Sequence, residues 1–163
     1  MKKILFLATI FTFSIACSTN EDNRGYKVKV GERCPDFSME LLDRTTITNE
    51  SLLGKVSVIQ FTASWCSVCR KEMPHLETKV WQEFKNEDFI LLGVDLKESR
   101  EKTTTFIEEM QVTYPIALDT NGQVFEQFTL PKAGVTRNIV LDRKGKILSL
   151  IHISEPRDKR QSR

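Results

Sequence analysis

The sequence predicts an α/β domain, a central mixed β-sheet flanked by helices, on three observations. First, β-type runs alternate with helical patterns. Val56 to Phe61 is followed by Met73, Leu76, Val80, Trp81 and Phe84 at helical spacing, and Phe89 to Leu96 by Phe106, Ile107 and Met110 after a Ser-x-x-Lys start at Ser99. The order strand, helix, strand, helix implies right-handed crossovers and a largely parallel centre. Second, the near-continuous apolar character of Val56 to Phe61 suits a strand covered on both faces. Third, Asn138 to Leu141 and Lys146 to Leu150 flank Asp142-Arg143-Lys144-Gly145, which reads as an antiparallel hairpin with glycine at its turn.

Taken in order, residues 1–16 read as an export signal. Lys2 and Lys3 supply the positive start, and Ile4 to Ile15 form an apolar run too short for a permanent span. Ala16-Cys17 resembles a bacterial lipoprotein cleavage site in which the cysteine becomes the lipidated N-terminus, although Ser14 stands where that pattern usually has Leu. Residues 17–25 are polar and read as a tether carrying a lipid anchor at Cys17. The domain itself is expected over residues 26–153. The alternation of Tyr26, Val28 and Val30 predicts a short half-buried strand, and Pro35 to Leu42 leads to a second, together forming an N-terminal β extension. From Val112 to Phe128, the turn Asp119-Thr120-Asn121-Gly122 precedes a short helical face of Val124, Phe125 and Phe128.

The end of the chain reads differently. Residues 154–163 are polar, contain Pro156 and have no apolar stripe, so no helix is expected there. The segment L-S-L-I-H-I-S-E-P resembles translated sequencing-library adapter. The expectation is a gene cut short near Ile147, with residues 154–163 a disordered tail that is not native, against the alternative of a naturally short variant.

The chemistry is concentrated in F-T-A-S-W-C-S-V-C-R-K-E-M-P, Phe61 to Pro74. Cys66 falls where the strand gives way to the helix. Unpaired backbone N–H groups and the positive end of the macrodipole at a helix start favour the thiolate, the reactive form. Cys69 lies one turn on. Cys66 is therefore expected to attack a disulfide and form a mixed disulfide that Cys69 resolves. Trp65 is expected to shield one side. A zinc site would need two more ligands, and Cys17, Cys34, His75 and His152 include no second paired motif. Haem attachment would need His directly after Cys69, where Arg70 stands. No metal and no cofactor is expected, and a structural disulfide is the remaining bland reading. Cys34 reads as a small packed residue rather than a third redox thiol.

These residues resemble thioredoxin-like proteins, specifically the TlpA/ResA-like group of membrane-tethered thiol-disulfide oxidoreductases. Beyond the active-site segment, G-E-R-C-P-D-F (Gly31 to Phe37), G-K-V-S-V-I-Q-F (Gly54 to Phe61), L-L-G-V-D (Leu91 to Asp95), Y-P-I-A-L-D (Tyr114 to Asp119) and I-V-L-D-R-K-G-K-I (Ile139 to Ile147) resemble family segments in the same order. The resemblance implies a thioredoxin-like fold, here with its C-terminal helix missing, and disulfide exchange with extracytoplasmic proteins.

Several positions depart from the family pattern or remain open. Gln60 stands where cytoplasmic thioredoxins carry a buried acid that moves the second cysteine's proton. Glu72, one turn after Cys69, is the candidate replacement, against the alternative of a solvated surface residue. Pro74 is expected to kink the helix, a feature the family shares. Thr136 occupies the position of the family's cis-proline facing the dithiol. A cis bond before a non-proline residue costs roughly 2.5–4 kcal/mol, so the Val135–Thr136 peptide is expected to be trans. Arg137 reads either as a plain surface residue or as a cation near the thiolate, the latter reminiscent of peroxiredoxins. The peroxiredoxin pattern Pro-x-x-x-Thr-x-x-Cys is not met, because Ile59 and Ala63 occupy those positions.

The expected partners are protein thiols and disulfides outside the cytoplasm, a membrane or periplasmic electron donor, and the membrane itself through the anchor, on the periplasmic or cell-surface side. The formal charge of +2 offers no electrostatic case for nucleic acid. Peroxide reduction and a non-catalytic surface binding module are the alternative functions.

Overall fold

The structure, a computed structural model, describes residues 25–152. The signal, the Cys17 anchor and the 154–163 tail, with the question of a C-terminal helix, lie outside the described residues. Seven strands form one mixed sheet: β1 (Ser38–Leu41), β2 (Thr46–Thr48), β3 (Val56–Thr62), β4 (Phe89–Leu96), β5 (Ile116–Asp119), β6 (Arg137–Leu141) and β7 (Ile147–His152). They lie in the order β2-β1-β5-β4-β3-β6-β7. The β3, β4 and β5 strands run parallel, while β1, β6 and their hairpin partners run antiparallel. The helices α1 (Ser67–Leu76), α2 (Gln82–Phe84), α3 (Arg100–Met110) and α4 (Gln123–Phe128) cover the sheet.

Alternation along β3 assigns the two faces. Phe61 packs edge-on against Phe125 at 5.1 Å and against Phe128 at 5.5 Å, placing α4 on one face. The preceding residue, Gln60, points the other way and meets Glu72 of α1. The second face also carries α3, and its core is formed by Met73, Leu91, Phe106 and Tyr114. Gly93 of β4 makes room there. A Cβ at this position would lie 2.4 Å from Ile116 Cδ1 and 3.1 Å from Tyr114 Cε2, so its absence lets Tyr114 lie close over the sheet.

Pro74 sits inside α1, which continues through a π-helical turn, Glu77–Trp81, into α2. Proline removes an intrahelical donor, and a π turn is one way to absorb the mismatch. The turn is anchored by Glu77, which is buried and accepts from the Thr113 amide and hydroxyl, both at 2.8 Å, and from Gln82 at 2.6 Å. Ser99 caps α3 by accepting from the Lys102 amide at 3.3 Å.

Two sequence expectations need correction. Tyr26 to Val30 is not a strand of the sheet, and its ladder contact is a single bridge from Tyr26 to Thr129. Tyr26 and Val28 are buried and Val30 is exposed, so the first part of the alternation is real burial. The segment crosses the α4 face instead of running along an edge: Lys27 N–H donates to the Phe128 carbonyl, and the Tyr26 hydroxyl donates to that of Ile151. The N-terminal β extension is the β1–β2 hairpin. The second correction is β5, a strand hidden in the segment read as turn and helix, which joins the parallel core to that hairpin.

Candidate active site

Cys66 and Cys69 form a disulfide at the start of α1. Cys66 is the N-cap residue. Its backbone is extended (φ −88°, ψ 106°), and its Sγ accepts the Cys69 amide N–H at 3.1 Å, one of the donors a helix start leaves unpaired. Both cysteines are buried, Cys69 fully. Trp65 stands at the surface of the site. It is 63% exposed and presents an apolar surface beside Cys66.

Across the site, the loop before β6 carries Thr136. Its hydroxyl lies 3.0 Å from Cys66 Sγ and 3.1 Å from Cys69 Sγ, and its amide donates to the Phe61 carbonyl at 3.3 Å. The peptide before it is trans. Arg137, the next residue, opens β6 opposite Phe61 and shares that residue's face of the sheet. It is 3% exposed, its guanidinium lies 4.6 Å over the Tyr26 ring, and its Nε donates to the Gly134 carbonyl at 2.8 Å. It is therefore not a surface residue, and its guanidinium is engaged with the Tyr26 ring and the loop before β6.

Glu72 is half-buried rather than a freely solvated residue of the helix surface. It accepts from Gln60 Nε2 at 2.9 Å and Asn138 Nδ2 at 2.5 Å, and Gln60 Oε1 in turn accepts the Tyr114 hydroxyl at 2.8 Å. Burial, and after it the charges of Glu72 and Glu77, push the Tyr114 phenol well above its ordinary value, so it remains a donor. Asn138 Oδ1 is buried with no partner.

A second acidic cluster escaped the sequence reading. Glu98 accepts from the Ser64 amide at 2.6 Å and the Ser64 hydroxyl at 2.7 Å, and pairs with Lys102 at 2.5 Å. Arg70 Nε donates to the Ser64 carbonyl at 2.7 Å, so the turn entering Cys66 is held from two sides. Burial opposes ionisation of Glu98, but the bonds from Lys102 and Ser64 outweigh it and hold the carboxyl below its usual range. Asp95, fully buried at the end of β4, is pushed up to about 7 by burial and then by the neighbouring Glu98 charge, partly offset by the Thr103 hydroxyl. Its Oδ2 is buried with no hydrogen-bond partner, while Oδ1 accepts from the Thr103 hydroxyl at 2.9 Å. No sequence signal marks this contact, since Ser64 and Glu98 meet only through the sheet.

Cys34 is a free, buried thiol, pushed up to about 12 by burial and then by the Asp36 charge. It is inert by the same rule that makes thiolates reactive.

With this fold and this cysteine pair, the chain is a thiol-disulfide oxidoreductase of the thioredoxin-like class. The AhpC/TSA family model matches residues 30–149, and the chain belongs to that family. The thiol-disulfide oxidoreductase ResA of Oceanobacillus iheyensis is 30% identical over 131 residues, 78% of this chain and 67% of that protein. Among solved structures, a putative protein disulfide isomerase from Bacteroides thetaiotaomicron shares 48% identity with a TM-score of 0.76, covering 78% of this chain and 81% of that one. A thiol:disulfide interchange protein from a Bacteroides species shares 27% identity with a TM-score of 0.68, over 76% and 81% of the two chains.

Proposed function

We propose that this oxidoreductase is exported, held at a membrane through a lipid on Cys17, and exchanges disulfides with extracytoplasmic proteins. The observation that carries the chemistry is the Cys66–Cys69 disulfide at the N-terminus of α1, with the Cys66 sulfur accepting a backbone N–H. In the reducing direction the Cys66 thiolate attacks a substrate disulfide. A Cys66–substrate bond forms and one substrate thiolate leaves. Cys69 then gives up its proton and attacks Cys66 Sγ, and the second substrate thiolate departs. Two electrons pass to the substrate and the Cys66–Cys69 disulfide closes. A periplasmic or membrane donor resets the pair. We take Glu72 as the acceptor of the Cys69 proton, a reading supported by its position one turn on along α1 and its half-buried bonds from Gln60 and Asn138. Export rests on the charged start and apolar run of residues 1–16, and the anchor on Ala16-Cys17.

A groove of about 440 Å³ beside the loop leading to Thr136, with a mixed lining that includes Phe125, Leu130 and Ala133 together with Lys27, Lys97 and Glu126, is a candidate place for a protein substrate to lie. Peroxide reduction is the second reading, and peroxide consumption that needs Cys66 would favour it.

The test is turnover of a protein disulfide by the dithiothreitol-reduced chain. Wild type reduces it catalytically, Cys66→Ser abolishes the reaction, and Cys69→Ser accumulates a mixed disulfide on Cys66. A chain whose disulfide forms but never turns over, at a potential too low for any thiol pool, is instead a binding module with a structural bridge. Labelling with a lipid precursor tests the anchor, and equal labelling of Cys17→Ser overturns it.

A further inference from the structure

Thr136 makes a contact that its position in the fold does not require. The hydroxyl approaches both sulfurs, at 3.0 Å and 3.1 Å, from a residue only 2% exposed. The backbone there has φ +72°, in the left-handed region that β-branched residues rarely enter. It is fixed by the amide bond to the Phe61 carbonyl, a bond a residue without an N–H could not make. A hydroxyl has one proton to donate, and its best acceptor is an anion. In the disulfide it faces two neutral sulfurs and gains little. In the dithiol one sulfur carries charge.

We propose that the Thr136 hydroxyl donates to the Cys66 thiolate and is a positioning residue that shifts the pair towards its reduced form. Two donors then converge on Cys66 Sγ, the Cys69 amide from the helix start and the Thr136 hydroxyl from the facing loop. Cys69 is the poorer candidate for the anion, because it is fully buried inside the first turn and has no equivalent amide contact. Donation to the thiolate lowers the Cys66 pKa and stabilises the dithiol against the disulfide, which makes the protein a stronger oxidant than the same site without the hydroxyl. This rests on the reading of Cys66 as the nucleophile.

The test compares Thr136→Val, which keeps the branched shape and loses the hydroxyl, with Thr136→Ser, which keeps the hydroxyl. Thr136→Gly also loses it but relieves the positive φ, so it remains informative if the valine variant folds poorly. Cys66 ionisation is followed by thiolate absorbance across pH, and the redox equilibrium is measured against glutathione, both on the full chain. The valine and glycine variants should show a smaller thiolate fraction near neutrality and an equilibrium displaced roughly tenfold towards the disulfide, while serine stays near wild type. Valine and glycine variants that match wild type in both readouts, or a serine variant displaced as far as they are, overturn the proposal. A wild-type Cys66 that titrates and reacts like an ordinary thiol sinks the nucleophile reading itself, and that result is seen before any variant is made.

Discussion

Two carboxylate clusters brace the elements that carry the dithiol, one half-buried around Glu72 of α1 and one buried at Asp95 and Glu98, and they are held in different ways. The Glu72 cluster is held by neutral amides, Gln60 and Asn138, with Tyr114 behind them. None of these groups carries a formal charge, so a proton arriving at Glu72 disturbs no ion pair. The Asp95–Glu98 cluster is held by Lys102 and the Ser64 turn at Glu98 and by the Thr103 hydroxyl at Asp95. Its bonds close around the chain that enters Cys66. The first arrangement suits proton transfer and the second suits anchorage. On the proposed reading only the first takes part in the chemistry, and the difference can be tested at each carboxyl separately.

The sharpest way to break this contrast is Glu72→Gln. It should slow turnover roughly 100-fold, the scale of a lost general base, while costing only about 1 kcal/mol of stability for the altered amide contacts. Steady-state reduction of a protein disulfide and urea unfolding give the two numbers. Equal turnover in the variant would assign the proton elsewhere.

Glu98→Ala should do the reverse. It leaves the Ser64 amide and hydroxyl without their acceptor and should cost about 2–3 kcal/mol in urea unfolding. A variant that unfolds like wild type but turns over poorly would exchange the two roles.

Asp95 sharpens the contrast through pH. Its folded pKa is raised to about 7, whereas an unfolded Asp titrates near ~3.9, so the folded chain holds a proton that the unfolded chain has released. That contribution is complete below about pH 4 and is lost as pH rises through about 7. The urea midpoint of wild type should therefore fall between pH 5 and pH 8 (about three pH units apart), and Asp95→Asn should flatten that slope. A slope unchanged in the variant would place the proton on another group. The smallest effect is Tyr114→Phe, which removes one neutral hydrogen bond to Gln60 and should cost about 1 kcal/mol with turnover nearly intact.

What could be read from the sequence was what is local in it. Cys66 at a strand-to-helix junction, the covered strand Val56 to Phe61, the capped helix after Ser99 and the Gly145 hairpin depend on neighbours within a turn or two, and the structure has each in place. The failures are of two kinds. Ile116–Asp119 is too short and has no alternation to show, and only its partners on both sides make it a strand. Tyr26 to Val30 does alternate, but alternation reports burial on one side and not what supplies it, here the face beside α4 rather than a neighbouring strand. Arg137 belongs with these. Its place in the sequence says nothing of its burial, and only the fold lays its guanidinium over Tyr26, next to the residue whose hydroxyl touches the sulfurs. The Glu98–Ser64 contact joins residues 34 apart and depends on the parallel register of β3 and β4.

Cys34 gives the molecule an internal gauge. Its thiol is sealed in the core and pushed up to about 12, so an alkylating reagent reaches it only when the domain opens. Because it takes no part in the Cys66–Cys69 couple, its labelling rate in the oxidised and reduced chains reports how much the closing and opening of that bond changes the lifetime of the whole fold. A single experiment with a mass tag can thus follow the mechanical cost of the redox cycle at a site that never touches the electrons.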